Sequence, residues 1–144
     1  MGKFKATCRI FPTEDPQKVS AALINLFPGA QLAIAADGAT ADFAEVDNLA
    51  RLVTEQKTRY AFMDALNRGC SGNRFAISLN KQAASVSRVN VVDEPKPLGS
   101  IEFSGEIDEP IVFFEKMLDV VGYITSRIRH REEKEGDPTS SGRS

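Results

Sequence analysis

Arg74-Phe75-Ala76-Ile77-Ser78-Leu79, running straight into Asn80-Lys81-Gln82-Ala83-Ala84, is the stretch that decides the fold. Phe75, Ile77 and Leu79 alternate with Arg74, Ala76 and Ser78, which is the period-two signature of a strand with one buried face. Beyond Leu79, three polar side chains interrupt apolar sequence. A strand ending there turns Asn80 and Gln82 to one side and Lys81 to the other, setting amide donors and acceptors beside one ammonium. Such a corner suits a phosphate, a backbone or a base edge. The same Asn and Gln equally suit a corner in which they satisfy neighbouring backbone groups.

Towards the N-terminus, Phe4, Ala6, Cys8 and Ile10 alternate with Lys3, Lys5, Thr7 and Arg9, so a first strand carries a basic outer face. Asp15-Pro16 offers an N-cap followed by proline at the first helical position, and Val19, Ala22, Leu23, Leu26 and Phe27 recur at helical spacing. A helix is expected from about Pro16 to Phe27, stopped by Pro28-Gly29. Leu32 to Ala35 reads as a short strand that turns at Asp37-Gly38 towards a partner through Phe43. From Glu45 to Asn67, Val46, Leu49, Val53, Tyr60, Met63 and Leu66 mark one long helix, or two broken near Gln56-Lys57-Thr58, ending at Gly69. Arg51, Lys57, Arg59 and Arg68 collect on its open face.

Towards the C-terminus, Val86, Val89, Val91 and Val92 predict a strand with a bulge near Arg88, followed by an Asp93-Glu94-Pro95-Lys96-Pro97 loop. Ile101, Phe103 and Ile107 alternate with polar residues in a further strand. Pro110 opens a helix whose apolar stripe is Ile111, Phe114, Leu118, Val121, Ile124 and Ile128. From Arg131 to Ser144 no apolar residue occurs, which predicts a disordered charged tail. The expectation is one α+β domain over residues 1–130 in β-α-β-β-α-β-β-β-α order, mainly antiparallel, with helices packed on one sheet face.

The 144 residues are 42% hydrophobic, enough for one domain with a proper core. A formal charge of −2 and a pI of about 5.5 rule out a protein-wide positive field, so any nucleic-acid contact must come from local patches. Cys8 and Cys70 lack C-x-x-C spacing, and Cys8 falls at an apolar strand position, which fits buried thiols in a reducing cytoplasm. No signal core and no membrane-length apolar run is present in the sequence. The single histidine, His130, sits in an Arg-rich helix end, and two cysteines cannot complete a zinc tetrahedron. Glu14-Asp15 and Asp93-Glu94 lie where a helix cap and a proline-bounded loop account for them. With no glycine-rich phosphate loop or nucleophile elbow either, the chain reads as non-enzymatic, without metal or cofactor.

Four motifs, Phe11-Pro12-Thr13-Glu14-Asp15-Pro16-Gln17-Lys18-Val19, Asn25-Leu26-Phe27-Pro28, Leu79 to Ala84, and Pro97-Leu98-Gly99-Ser100-Ile101, together resemble an archaeal family of uncharacterised proteins commonly labelled RNA-binding. The resemblance covers roughly residues 3 to 118. It implies a fold like that of the large-subunit ribosomal protein that contacts the small ribosomal RNA of that subunit, and a nucleotide kinase-like protein partner. Ser85, Val86 and Ser87 stand where the family has an aromatic and a glycine, which removes a base-stacking platform. Arg59 and Arg68 correspond to the family's basic helix.

The expected RNA contacts are therefore Lys3, Lys5 and Arg9 on one strand, Arg74 and Arg88 on others, Arg59 and Arg68 on the helix, and Asn80, Lys81 and Gln82 at the corner. Phe11, at a strand end, suits base stacking or sealing of the core. The alternative is a protein-interaction or dimerisation module, joined through the sheet or the final helix, whose cations pair with Glu102 and Glu106.

Overall fold

The computed structural model describes residues 3–92 and 99–120. Its elements run β1 (Phe4–Arg9), α1 (Pro16–Leu26), β2 (Gln31–Ala35), β3 (Gly38–Phe43), α2 (Asp47–Glu55), α3 (Arg59–Arg68), β4 (Cys70–Ser71), β5 (Arg74–Asn80), α4 (Lys81–Ala84), β6 (Ser100–Glu106) and α5 (Pro110–Met117). The six strands form one sheet in the order β2-β3-β1-β6-β5-β4, and every pairing is antiparallel. The architecture is α+β.

Strict alternation places one row from each inner strand under the helices. Phe4, Ala6 and Cys8 of β1, Ala39, Ala41 and Phe43 of β3, Phe75, Ile77 and Leu79 of β5, and Ile101 and Phe103 of β6 are all buried. The alanines of β3 are small where α1 comes close; the phenylalanines fill the space under α3 and α5. Phe103 stands at the centre, with ring centroids 5.2 Å from Phe75, 5.5 Å from Phe27 and 6.0 Å from both Phe4 and Phe43. Asp15 caps α1 by accepting the Gln17 N–H at 3.0 Å, with Pro16 in the first turn, as its sequence dictates.

The long helical pattern resolves into two helices. Lys57 adopts φ +59° between α2 and α3, and Thr58 donates its N–H to the Val53 carbonyl. Gly69, which ends α3, is needed for close approach: a Cβ there would run into the Ala76 carbonyl oxygen, whose own residue donates its N–H to Gly69 O at 3.0 Å.

Three expectations are corrected. The Val86–Val92 strand does not form. Asn80 caps a four-residue helix instead, and successive turns from Gln82 to Arg88 leave Val86 65% exposed. The chain then returns beside β5 through Asn80 N–H to Asn90 O and Val92 N–H to Ser78 O, with one bridge at Leu79 and Val91. A polar cap set at the strand end outcompetes continued β pairing. The sixth strand is Cys70–Ser71, which has no counterpart in the expected order. Among the described residues, the helix opened by Pro110 ends at Met117, because Asp119 takes φ +57°. Val121, Ile124, Ile128, His130, the 131–144 tail and the Asp93 to Pro97 loop with Leu98 lie outside the described residues.

Burial pushes the Cys8 thiol up from its usual 9.0, with Lys81 opposing and Glu14 adding, and burial raises Cys70 as well. Raised thiols favour the neutral form in the fold, so their contribution to stability is full below the usual value and is lost as pH climbs beyond it. Native protein at pH 8 is expected to expose one thiol to a disulfide reagent, the half-buried Cys70, with buried Cys8 reacting only after denaturant is added. Two fast thiols in the native state would contradict the burial of Cys8.

Candidate binding face and the corner beside it

With the described helices on one side, the other face of the sheet is open. Its β1 row is Lys5, Thr7 and Arg9, with Lys3 exposed just before the strand. Lys5 lies opposite Asp42 of β3 and Ser104 of β6; Thr7 lies between Thr40 and Glu102; Arg9 faces Gly38. Arg74 of β5 pairs with Glu106 at 3.5 Å, both side chains well exposed, and Ser78 donates its hydroxyl to Glu102 at 2.8 Å. Exposed pairs of this kind are weak and exchangeable. Arg9 and Lys5 are the cations of this face with small or uncharged neighbours on at least one side.

At the Arg9 end lies a depression of about 630 Å³. Thr7, Ala33, Ala35, Gly38, Thr40 and Ser100 floor it, and Arg9, Asp37 and Glu102 stand around it. Small side chains on four neighbouring strands make the hollow. The Arg9 guanidinium lies 4.9 Å from the Phe11 ring centroid, so the aromatic at the strand end steadies a cation instead of standing free.

The corner is built differently from its sequence expectation. Asn80 spends its side-chain oxygen on the Ala83 N–H at 2.8 Å, the neighbouring-backbone role. Lys81 is corrected most: it is buried, its side chain 6% exposed, and its Nζ donates to the Arg9 carbonyl at 2.8 Å and to Glu14 Oε1 at 3.1 Å. The alternation that buries Phe75, Ile77 and Leu79 places residue 81 in the same phase, and a lysine in that position is held only if paired. Glu14 also accepts the Phe11 N–H at 2.9 Å, and the Phe11 ring lies 5.3 Å from Lys81 Nζ. Gln82 remains exposed, lining a hollow of about 290 Å³ between α1 and α4 with Thr13, Asp15 and Lys18.

Arg59 is likewise structural. Its Nη1 donates to the carbonyls of Leu118 at 3.0 Å and Asp119 at 3.4 Å, closing the end of α5. Arg68, at the end of α3, and Arg88, in the turns after α4, are exposed but do not belong to the β1 row.

Three amides that composition did not single out hold the corner. Asn25 donates to the Ala84 and Ser85 carbonyls at 3.0 and 3.2 Å, and Asn48 donates to the carbonyls of Asn25 and Leu26. Gln56 mimics a strand, donating to Ser87 O at 2.8 Å and accepting the Val89 N–H at 2.9 Å. Asn25 and Glu14 both lie inside motifs quoted from the sequence, which was the available signal; Gln56 was marked only as part of a helix break, and nothing local marked Asn48.

No family model matches the chain. A UPF0201 protein of Methanothermobacter thermautotrophicus is 32% identical over 112 residues, covering 76% of this chain and 85% of that protein. The chain belongs to the UPF0201 family. Among solved structures, the UPF0201 protein of Methanococcus jannaschii superposes with a TM-score of 0.72 at 27% identity, covering 80% of this chain and 91% of that one. A relative from Archaeoglobus fulgidus, named UPF0200/UPF0201, is 32% identical over 114 residues; the match takes in 78% of this chain but 35% of that longer protein. The UPF0201 fold therefore occurs both as most of a chain and as a minor part of one. Among the described residues no three His, Cys, Asp or Glu side chains converge as a metal set, and no helix is long and apolar enough to cross a membrane.

Proposed function

We propose that the face of the sheet opposite the described helices is a non-catalytic binding surface for structured RNA, with Lys3, Lys5 and Arg9 taking phosphates and Arg74 joining by exchanging Glu106 for a phosphate. The observation that carries this reading is the basic row of β1 near the middle of an open face, ending at a hollow floored by small side chains. A phosphate backbone needs cations that are exposed and not spent internally, and these meet that condition where Lys81 and Arg59 do not. The ribosomal-protein-like fold implied by the sequence motifs belongs to the same proposal. Since Asp42, Glu102 and Glu106 interleave with the cations, few phosphates are contacted and affinity rests on low salt.

Retention of archaeal total RNA, against a DNA control, is expected to fall between about 50 and 200 mM salt. Lys5→Ala with Arg9→Ala is expected to weaken binding at low salt and to shallow the salt slope by somewhat under 2, about 0.9 for each lost phosphate contact at most. The circular dichroism spectrum and melting temperature should barely move, because both side chains are exposed. Salt-insensitive binding, or none at 50 mM, would sink the RNA reading.

The composite Archaeoglobus relative favours a second reading, in which the same face docks a protein domain of UPF0200 type, the nucleotide kinase-like partner implied by the resemblance. A mixed-sign face suits a protein better than a polyanion. Titration of the separately produced UPF0200 segment of that relative onto the chain, followed by calorimetry, distinguishes the two: heat abolished by Lys5→Ala with Arg9→Ala supports protein docking on this face.

A further inference from the structure

We propose that two copies of this chain join through the free edge of β2, antiparallel about a two-fold axis at Ala33, so that two six-stranded sheets become one. β2 pairs with β3 on one side only; among the described residues its other edge has no partner. Most of its residues are exposed, Ile34 at 47%, and Gln31-Leu32-Ala33-Ile34-Ala35 has no charge, proline or bulge of the kind that usually blunts an edge.

The occupant follows from register and charge. The two-residue turn at Ala36-Asp37 closes on the Ala35·Gly38 pair, which assigns the amides of Gln31, Ala33 and Ala35 to β3 and turns those of Leu32 and Ile34 outwards. Pairing of β2 with its own copy about Ala33 sets Leu32 against the partner's Ile34 and Ile34 against the partner's Leu32, so the two outward amides on each side, four in all, exchange hydrogen bonds. The side chains of these pairs lie on the helix side, where each Ile34 gains an apolar neighbour. Over 28–38 the one charged residue is Asp37, and in this register it meets the partner's Gly29; no like charges oppose each other. An uncharged, self-complementary edge selects a second copy over a charged partner.

The join also completes the hollow beside Arg9. Ala33 and Ala35 form its β2 wall and point to the open face, so the partner's Gln31, Ala33 and Ala35 extend the same floor across the axis. The two Arg9 rows then stand roughly 24 Å apart, five strand spacings of about 4.8 Å. This geometry holds whichever ligand the face takes.

Light scattering on the full chain at tens of micromolar is expected to give twice the chain mass, and Ile34→Lys to halve it with an unchanged circular dichroism spectrum, since Ile34 is half exposed in the single chain. Ala33→Cys supplies the independent test: a non-hydrogen-bonded pair on the axis brings the two Cα atoms to about 4.5 Å, within disulfide range. Mild oxidation should convert that variant to a reductant-sensitive covalent dimer, whereas Ala35→Cys, whose copies lie roughly 13 Å apart along the strands, should behave like the unaltered protein. A single-chain mass for the unaltered protein, a dimer that survives Ile34→Lys, or equal cross-linking at positions 33 and 35 would each overturn the assignment.

Discussion

Lys81→Met is expected to lower the unfolding free energy by about 3–5 kcal/mol, the usual loss when one partner of a buried ion pair is removed. The magnitude follows from what is left behind. Glu14, its side chain 15% exposed, keeps the Phe11 N–H but loses its cation, and the Arg9 carbonyl loses its donor. The thioether fills the lysine's stem volume, so the cost is electrostatic and polar rather than a cavity. Urea unfolding measures it as a shift in midpoint at constant slope. Glu14→Gln combined with Lys81→Met should lose less than the two single variants added together, by about 0.5–3 kcal/mol, because neither charge is then stranded. Arg88→Ala, by contrast, removes an exposed side chain and should stay within about 0.5 kcal/mol. A loss under about 1 kcal/mol for Lys81→Met would class the pair with surface ion pairs and return the lysine to the list of ligand contacts.

Phe103→Ala is the second large effect, also about 3–5 kcal/mol. Phe103 is fully buried in mid-sheet and its ring meets those of Phe4, Phe27, Phe43, Phe62, Phe75 and Phe114. These neighbours come from β1, β3, β5, α3, α5 and the end of α1, so the hole cannot be closed by shifting one element. Incomplete collapse adds a cavity cost to the lost burial. Thermal unfolding should show a single transition displaced downwards by about 6–20 °C, taking about 2–4 °C per kcal/mol for a chain near 150 residues. Phe113→Ala is the control: that ring is half-buried and meets Phe4 and Phe114 from the rim, so a smaller loss is expected. Equal losses at the two positions would mean that the aromatic cluster has no centre.

Much of the fold was legible because its signals are local. Phe4-Ala6-Cys8 and Phe75-Ile77-Leu79 show their buried faces by alternation alone, and Asp15-Pro16 marks the start of α1 within two residues. The valines at 86, 89, 91 and 92 misled, since β-branched composition competes with capping and the cap of Asn80 prevailed. Cys70-Ser71 was too short to announce itself as a strand, and it exists through pairing with Arg74 and Phe75.

The candidate site divides along the same line. That Lys5 and Arg9 face outwards on one strand was readable from alternation with Phe4, Ala6 and Cys8 and needed no partner to be known. That Lys81 is a buried clasp was not, because its acceptors lie 72 and 67 residues away, at Arg9 and Glu14, and its sequence neighbours are the polar Asn80 and Gln82. Arg59 likewise serves carbonyls 59 and 60 residues off. The sequence by itself determined which face of each long strand is apolar, where α1 begins and that cations line one strand, since periodicity and capping act over a turn or two. Only the tertiary structure decided which cations stay free for a ligand, because a charge is spent or spared according to the groups the fold brings within about 3 Å of it.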